Sequence, residues 1–296
     1  MFVVKDLRKI PEILQDPEDE REQMRLGRRS AEFSGNLDVL CTPSNVTALT
    51  KLQKLSLYDN QLVSIERIGL LSKTPLCILD LGQNQLERLP DEIGSITTLK
   101  ELWVSNNLLT EIPEAVLRLP LLSIVHLSNN RITHVPAAIG QAAALQVLSL
   151  DNNLIEDVPD DIGRCHDLVE LNIRGNKVQV LPSSLGDCIN LTTLAVNSNE
   201  LKVLPESLGK CRQLTFLHAN GNPILHFPSA LVHFAHIRVN VANTRIASID
   251  PDVEASWVVL THLHVTPKES TLQEKSILIL SGTPYAQSQK KKTEKP

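Results

Sequence analysis

The sequence predicts an α/β solenoid with a parallel sheet, and three observations carry that expectation. Sliding the chain against itself at a shift of about 23 residues superposes leucines from Leu52 to Leu214. An asparagine recurs eight positions after the first leucine of each line, at 60, 84, 107, 130, 153, 176, 199 and 222. Hydrophobic residues reach 42% while aromatics make up only 3%, so the core must be aliphatic and regular. Units of this period cannot bury an apolar face alone and stack to do so.

The lines begin at Leu52, Leu76, Leu99, Leu122, Leu145, Leu168, Leu191 and Leu214, and follow L-x-x-L-x-L-x-x-N-x-L, as in LKELWVSNNLL and LQVLSLDNNLI. This is the leucine-rich repeat signature. Leucines at positions 4 and 6 alternate with polar residues, the pattern of a half-buried strand. Position 9 turns the chain away from the sheet, and an asparagine such as Asn153 there can donate to and accept from backbone groups that no ladder satisfies. Prolines at 90, 113, 136, 159, 182, 205 and 228 follow, where strand pairing has ended and a missing N–H costs nothing. Apolar residues three apart, such as Ile162, Cys165 and Leu168, then predict short helical or irregular turns on the convex side.

The ends degrade, as terminal repeats do when they close an otherwise exposed core. Residues 1–51 read as an N-terminal cap. RRSAEFSGNL sets Ala31, Phe33 and Asn36 in register with the next line, with Arg28 in its first leucine position. Ahead of it, DPEDEREQMRLG reads as a capping helix with Asp16 as N-cap, Pro17 first in the helix and Gly27 beyond its end. Residues 52–235 hold the eight repeats. Residues 236–285 form a degenerate repeat and C-terminal cap: Val239, Val241 and Ile246 keep register with Thr244 for asparagine, DPDVEASWVVL reads as a capped helix, and SILILSGTPY as a closing strand and turn. Residues 261–275 find no place in the repeat. Residues 286–296 read as a disordered basic tail.

Net charge of −5 and a pI near 6.0 argue against nucleic acid. The N-terminus carries early charges and Pro11, unlike a signal peptide, and no run approaches a membrane span. Phe2 excludes N-myristoylation and the ending lacks a prenylation cysteine. The expected compartment is the cytoplasm, with the two sequons at Asn45 and Asn190 accidental. Lys290, Lys291 and Lys292 leave nuclear or peripheral-membrane association open.

From Leu52 to Pro228, these 23-residue lines with an LPxxIGxLxxL return resemble the intracellular class that includes Ras suppressor protein, the Scribble and Erbin repeat domains and the plant intracellular Ras-group repeat proteins. The resemblance implies a scaffold or adaptor that docks signalling proteins on the concave sheet, often in small-GTPase pathways. No kinase domain, PDZ domain or nucleotide-binding loop accompanies the repeats here.

Three clusters invite chemistry and are set against plainer readings. Cys165, Cys188 and Cys211 share a column with Ile96, Leu119, Ala142 and Phe234, which makes them core residues rather than redox or metal groups. Histidines crowd residues 218–264, including His233, His236, His262 and His264, without a recognised metal-ligand spacing. His126, Ser128, Ser149 and Asp151 look like fragments of a hydrolase triad, but nothing supplies an oxyanion hole. The expectation is a non-enzyme with no cofactor, no metal and no small-molecule substrate; a regulatory or targeting subunit of an enzyme complex is the alternative.

Positions 3, 5, 7 and 8 carry no structural duty in this reading, so partner choice is written there. Trp103 stands at position 5 between inward Leu102 and Val104, and so points outward. Ile78, Ile124 and Val147 flank it, with Tyr58 and His126 nearby. Asp80, Glu101, Asp151 and Glu170 surround this cluster, the bases Lys100 and Arg174 are fewer, and Glu87, Glu111, Glu156 and Asp157 add acid along a rim. A protein partner with an apolar anchor in a basic surround fits that face.

Overall fold

The computed structural model describes residues 8–15, 21–261 and 276–293. Two compact units divide the chain, residues 1–148 and 149–296. Among the described residues every strand is three residues long. In the first unit β1 (Gln23–Arg25), β2 (Lys54–Ser56), β3 (Ile78–Asp80), β4 (Glu101–Trp103) and β5 (Ile124–His126) pair in parallel in chain order, and β6 (Val147–Ser149) spans the unit boundary. In the second, β7 (Glu170–Asn172), β8 (Thr193–Ala195), β9 (Phe216–His218) and β10 (Arg238–Asn240) pair in parallel in the same way.

Such brief strands persist because the interior ones are hydrogen-bonded on both sides and packed beneath. From Leu55 to Ala219, positions 4 and 6 of all eight lines are at most 1% exposed. Burying a leucine fully is worth roughly 1.5–3 kcal/mol, so these two columns hold the sheet down. The asparagines close the turns as expected. Asn84 Nδ2 donates to the carbonyls of Leu81 at 2.8 Å and Leu57 at 3.0 Å, while its Oδ1 accepts from Asn60 and Leu62 N–H, both at 3.0 Å. Asn153, 5% exposed, donates to the Leu150 carbonyl at 2.9 Å. After each proline a short 3₁₀ or α turn buries its apolar face, as at Asp160–Arg164 and Glu114–Leu117.

Position 8, expected to be free, is not. Asp59, Gln83, Asn106, Asn129, Asn152, Gly175, Ser198 and Gly221 all have φ between 52° and 70°. That left-handed region suits glycine and asparagine and penalises branched side chains. The column is therefore a turn element, and its side chains are chosen for backbone shape.

The N-terminal register differs from the expectation. β1 pairs Met24 with Leu55, so the first line starts at Arg21, not Arg28. Met24 and Leu26 hold positions 4 and 6, both 1% exposed, and Arg28 takes position 8 with φ 62°. Arg29 stands where asparagine is usual: its N–H donates to Asn60 Oδ1 at 2.6 Å and its guanidinium to the Arg8 carbonyl at 2.8 Å. Arginines at positions 1 and 9 hide the signature, and a strand this short needs only the inward Met24 and Leu26. The predicted capping helix is thus overwritten by β1 over 23–25; its Asp16 and Pro17 lie outside the described residues. The helix of the cap is instead α1 (Ile10–Leu14), which buries Ile10, Ile13 and Leu14. Phe33 is core, but within α2 (Ser30–Phe33), and Asn36 caps a local turn by accepting from Asp38 N–H at 2.8 Å.

At the other end Thr244 replaces asparagine as expected, its hydroxyl donating to the Val241 carbonyl at 2.8 Å. The helix α3 (Pro251–Ser256) is capped by Asp250, whose carboxylate accepts from Asp252 N–H at 2.8 Å. The labels β11 (Val258–Leu260) and β12 (Ile277–Ile279) follow the chain, but β12 lies between β10 and β11, all parallel. Leu278, Leu280 and Thr283 repeat positions 4, 6 and 9, with the Thr283 hydroxyl donating to the Leu280 carbonyl at 2.7 Å. The closing strand is therefore one more repeat line. Residues 262–275, almost the whole unplaced stretch, lie outside the described residues.

The basic tail is corrected as well. Pro284–Thr293 forms a helix, α4, rather than a disordered end. The Thr283 hydroxyl accepts from Ala286 N–H at 3.1 Å, and the Tyr285 hydroxyl donates to Glu254 at 2.6 Å. Tyr285 and Ala286 are buried, at 7% and 6% exposure, so a cap and two contacts hold a sequence whose composition alone favours solvent.

Cys165, Cys188 and Cys211 are free thiols at 0% exposure. The Cys188 thiol points at the Ile162 carbonyl, 3.3 Å away. Burial pushes Cys188 up to about 12, and Cys165 and Cys211 up to about 11. Thiolate is the reactive form, so all three are expected to resist maleimide at neutral pH until denaturant is added. Folded-state values above the unfolded one stabilise the fold fully below about pH 9, and that contribution fades as pH rises through 11–12. Fast labelling without denaturant, or a stability flat from pH 8 to 11, would place these thiols outside the core.

Candidate functional site

The outward face of the first unit is made of two rows set by strand register. Position 5 gives Arg25, Ser56, Asp80, Trp103 and His126; position 3 gives Gln23, Lys54, Ile78, Glu101 and Ile124. Side chains alternate across a strand, so inward Leu102 forces both Glu101 and Trp103 to the open side. Trp103 is 40% exposed. Its ring lies against His126 with centroids 4.2 Å apart and planes tilted by 37°, and its Nε1 donates to Glu101 Oε2 at 3.2 Å.

Beside it the face sinks into a hollow of about 760 Å³, lined at position 7 by Gly27 and Tyr58. A methyl group at Gly82 would meet Asp80 Oδ1 and the Tyr58 ring, both at 3.2 Å, and one at Gly27 would meet the Tyr58 carbonyl at 2.9 Å. Arg25, Arg28 and Lys54 line one part, Asp80, Glu101, Ile78 and Trp103 the other.

The charges differ in how they are employed. Asp80 accepts from the Ser56 hydroxyl at 2.7 Å and from Gly82 N–H at 3.0 Å. Glu101 holds the indole N–H, and Arg28 is paired with Asp59 at 3.0 Å. Among the described residues neither the Arg25 guanidinium nor the Lys54 ammonium has a hydrogen-bond or ion-pair partner.

Of the candidate residues named from sequence, Tyr58, Ile78, Asp80, Glu101, Trp103, Ile124, His126 and Val147 lie in the first unit, all exposed or half-buried. Asp151 and Arg174 belong to the second. There Asp151 accepts from the Asn152 and Asn172 amides, each at 3.1 Å, and the Arg174 N–H donates to Asn172 Oδ1 at 3.2 Å. Arg25 and Arg28 escape the sequence reading, because it sets the first line seven residues late. The alternation Gln23-Met24-Arg25-Leu26 is the signal that finds them.

The second unit carries a smaller aromatic group on its own outward face. Phe216, 37% exposed, stacks with His218 at 6.4 Å, and the Arg238 guanidinium sits 5.7 Å from its ring. His233 and His236 are exposed and line a groove of about 270 Å³ beside Arg212 and Phe234. Among the described residues no three histidine, cysteine or acidic side chains are grouped to hold a metal ion. His262 and His264 lie outside the described residues. No helix among those residues is long and apolar enough to cross a membrane.

Comparison with known proteins agrees with the repeat geometry. The leucine rich repeat family matches residues 97–155 and 120–178, within lines whose asparagine turns and parallel strands are already described. The chain has the leucine-rich repeat fold. A stretch of 65 residues is 42% identical to plant intracellular Ras-group-related LRR protein 8 of rice, Oryza sativa subsp. japonica, covering 21% of this chain and 17% of that protein. The chain thus spans about a sixth of the length of that relative. Among solved structures, an LRR protein of Leptospira interrogans superposes with a TM-score of 0.76 at 25% identity, over 95% of this chain and 77% of that one. The plant peptide hormone receptor RGFR1, solved in complex with RGF2, gives 0.64 at 25% identity over 81% of this leucine-rich repeat chain and 37% of the receptor. The ectodomain of GASSHO1/SCHENGEN3 from Arabidopsis thaliana gives 0.60 at 23% identity over 82% and 37%, a likeness of fold.

Proposed function

We propose that this protein is a non-enzymatic, intracellular interaction module that binds a signalling protein through the outward sheet face of its first unit. One observation carries the reading: a tryptophan at 40% exposure and two half-buried isoleucines and a histidine share the outward face of adjacent strands. Tryptophan is enriched at interface centres, and contiguous exposed apolar groups are rare on a surface without a partner. Repeat scaffolds use such faces because every strand adds one register of outward side chains. The likeness to a peptide hormone receptor solved in complex with RGF2, and the short match to a Ras-group-related relative, support a binding role and suggest small-GTPase signalling as its setting.

The test is affinity capture with the full chain, read by mass spectrometry. Ile78→Lys with Ile124→Lys alters the face and leaves both inward leucine columns intact. The variant is expected to keep the wild-type melting transition and lose the partners that the wild type retains. An unchanged partner set with an intact fold would move the interface to another surface.

A further inference from the structure

We infer that the hollow beside Trp103 takes a peptide segment in the polyproline II conformation presenting one carboxylate and one large apolar side chain, three positions apart. The inference rests on the reading of this face as a partner surface and names the chemistry of what lands there. It reverses the basic surround expected from the acids counted in the sequence. Those acids are already at work inside the protein: Asp80 holds Ser56 and Gly82, and Glu101 holds the indole N–H. The charges left without a partner among the described residues are cations, Arg25 and Lys54.

Register sets the spacing. Arg25 on β1 and Lys54 on β2 are diagonal neighbours, as are Ile78 on β3 and Trp103 on β4. The midpoints of the two pairs are two strand steps apart, about 10 Å at the usual 4.8 Å spacing. A polyproline II segment, rising about 3.1 Å per residue with three residues per turn, covers that distance in about three residues and keeps both side chains on one face. A segment crossing the strands therefore sets an acid over the cations and an apolar group over Ile78 and Trp103. The hollow's 760 Å³ is within the range of formed ligand sites, roughly 300–1,000 Å³.

A carboxylate suits the site better than a phosphate. Asp80 and Glu101 line the same hollow, and a dianion would meet their repulsion twice over while a single negative charge meets it once. Arg25 also offers a planar fork that matches carboxylate geometry.

The experiment uses the full chain and synthetic octapeptides with acetylated and amidated ends, so that no terminal charge intervenes. Position-scanning pools carry Asp or Glu, phosphoserine, or Lys at one site and an apolar residue three positions away in either direction. The acidic pools are expected to bind, and their retention to fall with salt as exposed charge pairs do. Arg25→Glu with Lys54→Glu should weaken that retention about tenfold or more and favour the lysine pools, since complementary charge selects partners. Lys54→Glu alone, which leaves β1 untouched, should move both readouts in the same direction. Preference of the wild type for phosphoserine or lysine, indifference to the charge reversals, or no enrichment in any pool would each overturn the inference. Partner capture tests the interface independently of this chemistry: partners lost in the Ile78→Lys, Ile124→Lys variant with no acidic preference would keep the interface and discard the carboxylate.

Discussion

Asn84→Ala is expected to lower the unfolding free energy by about 3 kcal/mol or more, the largest effect of any single side chain outside the leucine columns. The reason is the number of backbone groups one amide serves. Asn84 is 8% exposed, donates to the carbonyls of Leu57, Leu81 and Gly82, and accepts from two N–H groups of the preceding repeat. Alanine strands the Asn60 and Leu62 N–H groups in a turn closed to water, while the Leu57 and Leu81 carbonyls keep the Asn60 and Asn107 amides as donors. A buried orphan costs roughly 1–3 kcal/mol, and some of these will recover solvent as the turn relaxes. The array supplies its own calibration. Thr244 and Thr283 occupy the same column and each donates to a single carbonyl. Asn84→Thr should therefore fall between wild type and alanine in a urea titration. An alanine variant as stable as the wild type, or a threonine variant no better than alanine, would show that the ladder does not carry the load assigned to it.

The contrast between the ends and the middle shows what the sequence makes legible. From Leu52 to Leu214 each structural duty needs a particular side chain: apolar at 4 and 6, an amide at 9. Strand register, the outward direction of Trp103 and the burial of Cys165, Cys188 and Cys211 can all be read there. The first line is misplaced in such a reading because Arg21 and Arg29 fill the two most diagnostic positions, and Arg29 meets its turn through a backbone N–H rather than an amide. The line at Leu278 passes for a closing strand because its turn uses Thr283 and because β12 enters the sheet out of chain order. The candidate site is half visible for a related reason. Identities of the acids are in the sequence, but whether Asp80 is already engaged depends on Ser56 and Gly82 standing one strand away and two residues on. Counting charges gives an acidic face; hydrogen bonding leaves cations as its unengaged charge.

Trp103→Ala, made with Trp257→Phe to isolate signals, is expected to leave folding almost untouched and to cost about 2 kcal/mol or more in binding. The two effects separate because of where the indole lies. Its ring meets His126 and its N–H meets Glu101, both on the open face, and the side chain stays 40% exposed. An exposed side chain of this kind is worth within about 0.5 kcal/mol to stability. Trp257 differs: it is 6% exposed and meets Phe227 edge-on at 5.7 Å. In the Trp257→Phe background, emission from Trp103 should be red-shifted and open to acrylamide in the free protein. A captured partner, or an acidic peptide from the selected pools, should shift it to the blue and shield it. His126→Ala should weaken binding less, since the imidazole supports one side of the ring without itself being the anchor. A large loss of stability on Trp103→Ala would put the indole in the core, against the register seen here. Unchanged affinity with an intact fold would leave the first unit's face as scaffold, and the aromatic group at Phe216 and Arg238 would become the surface to mutate next.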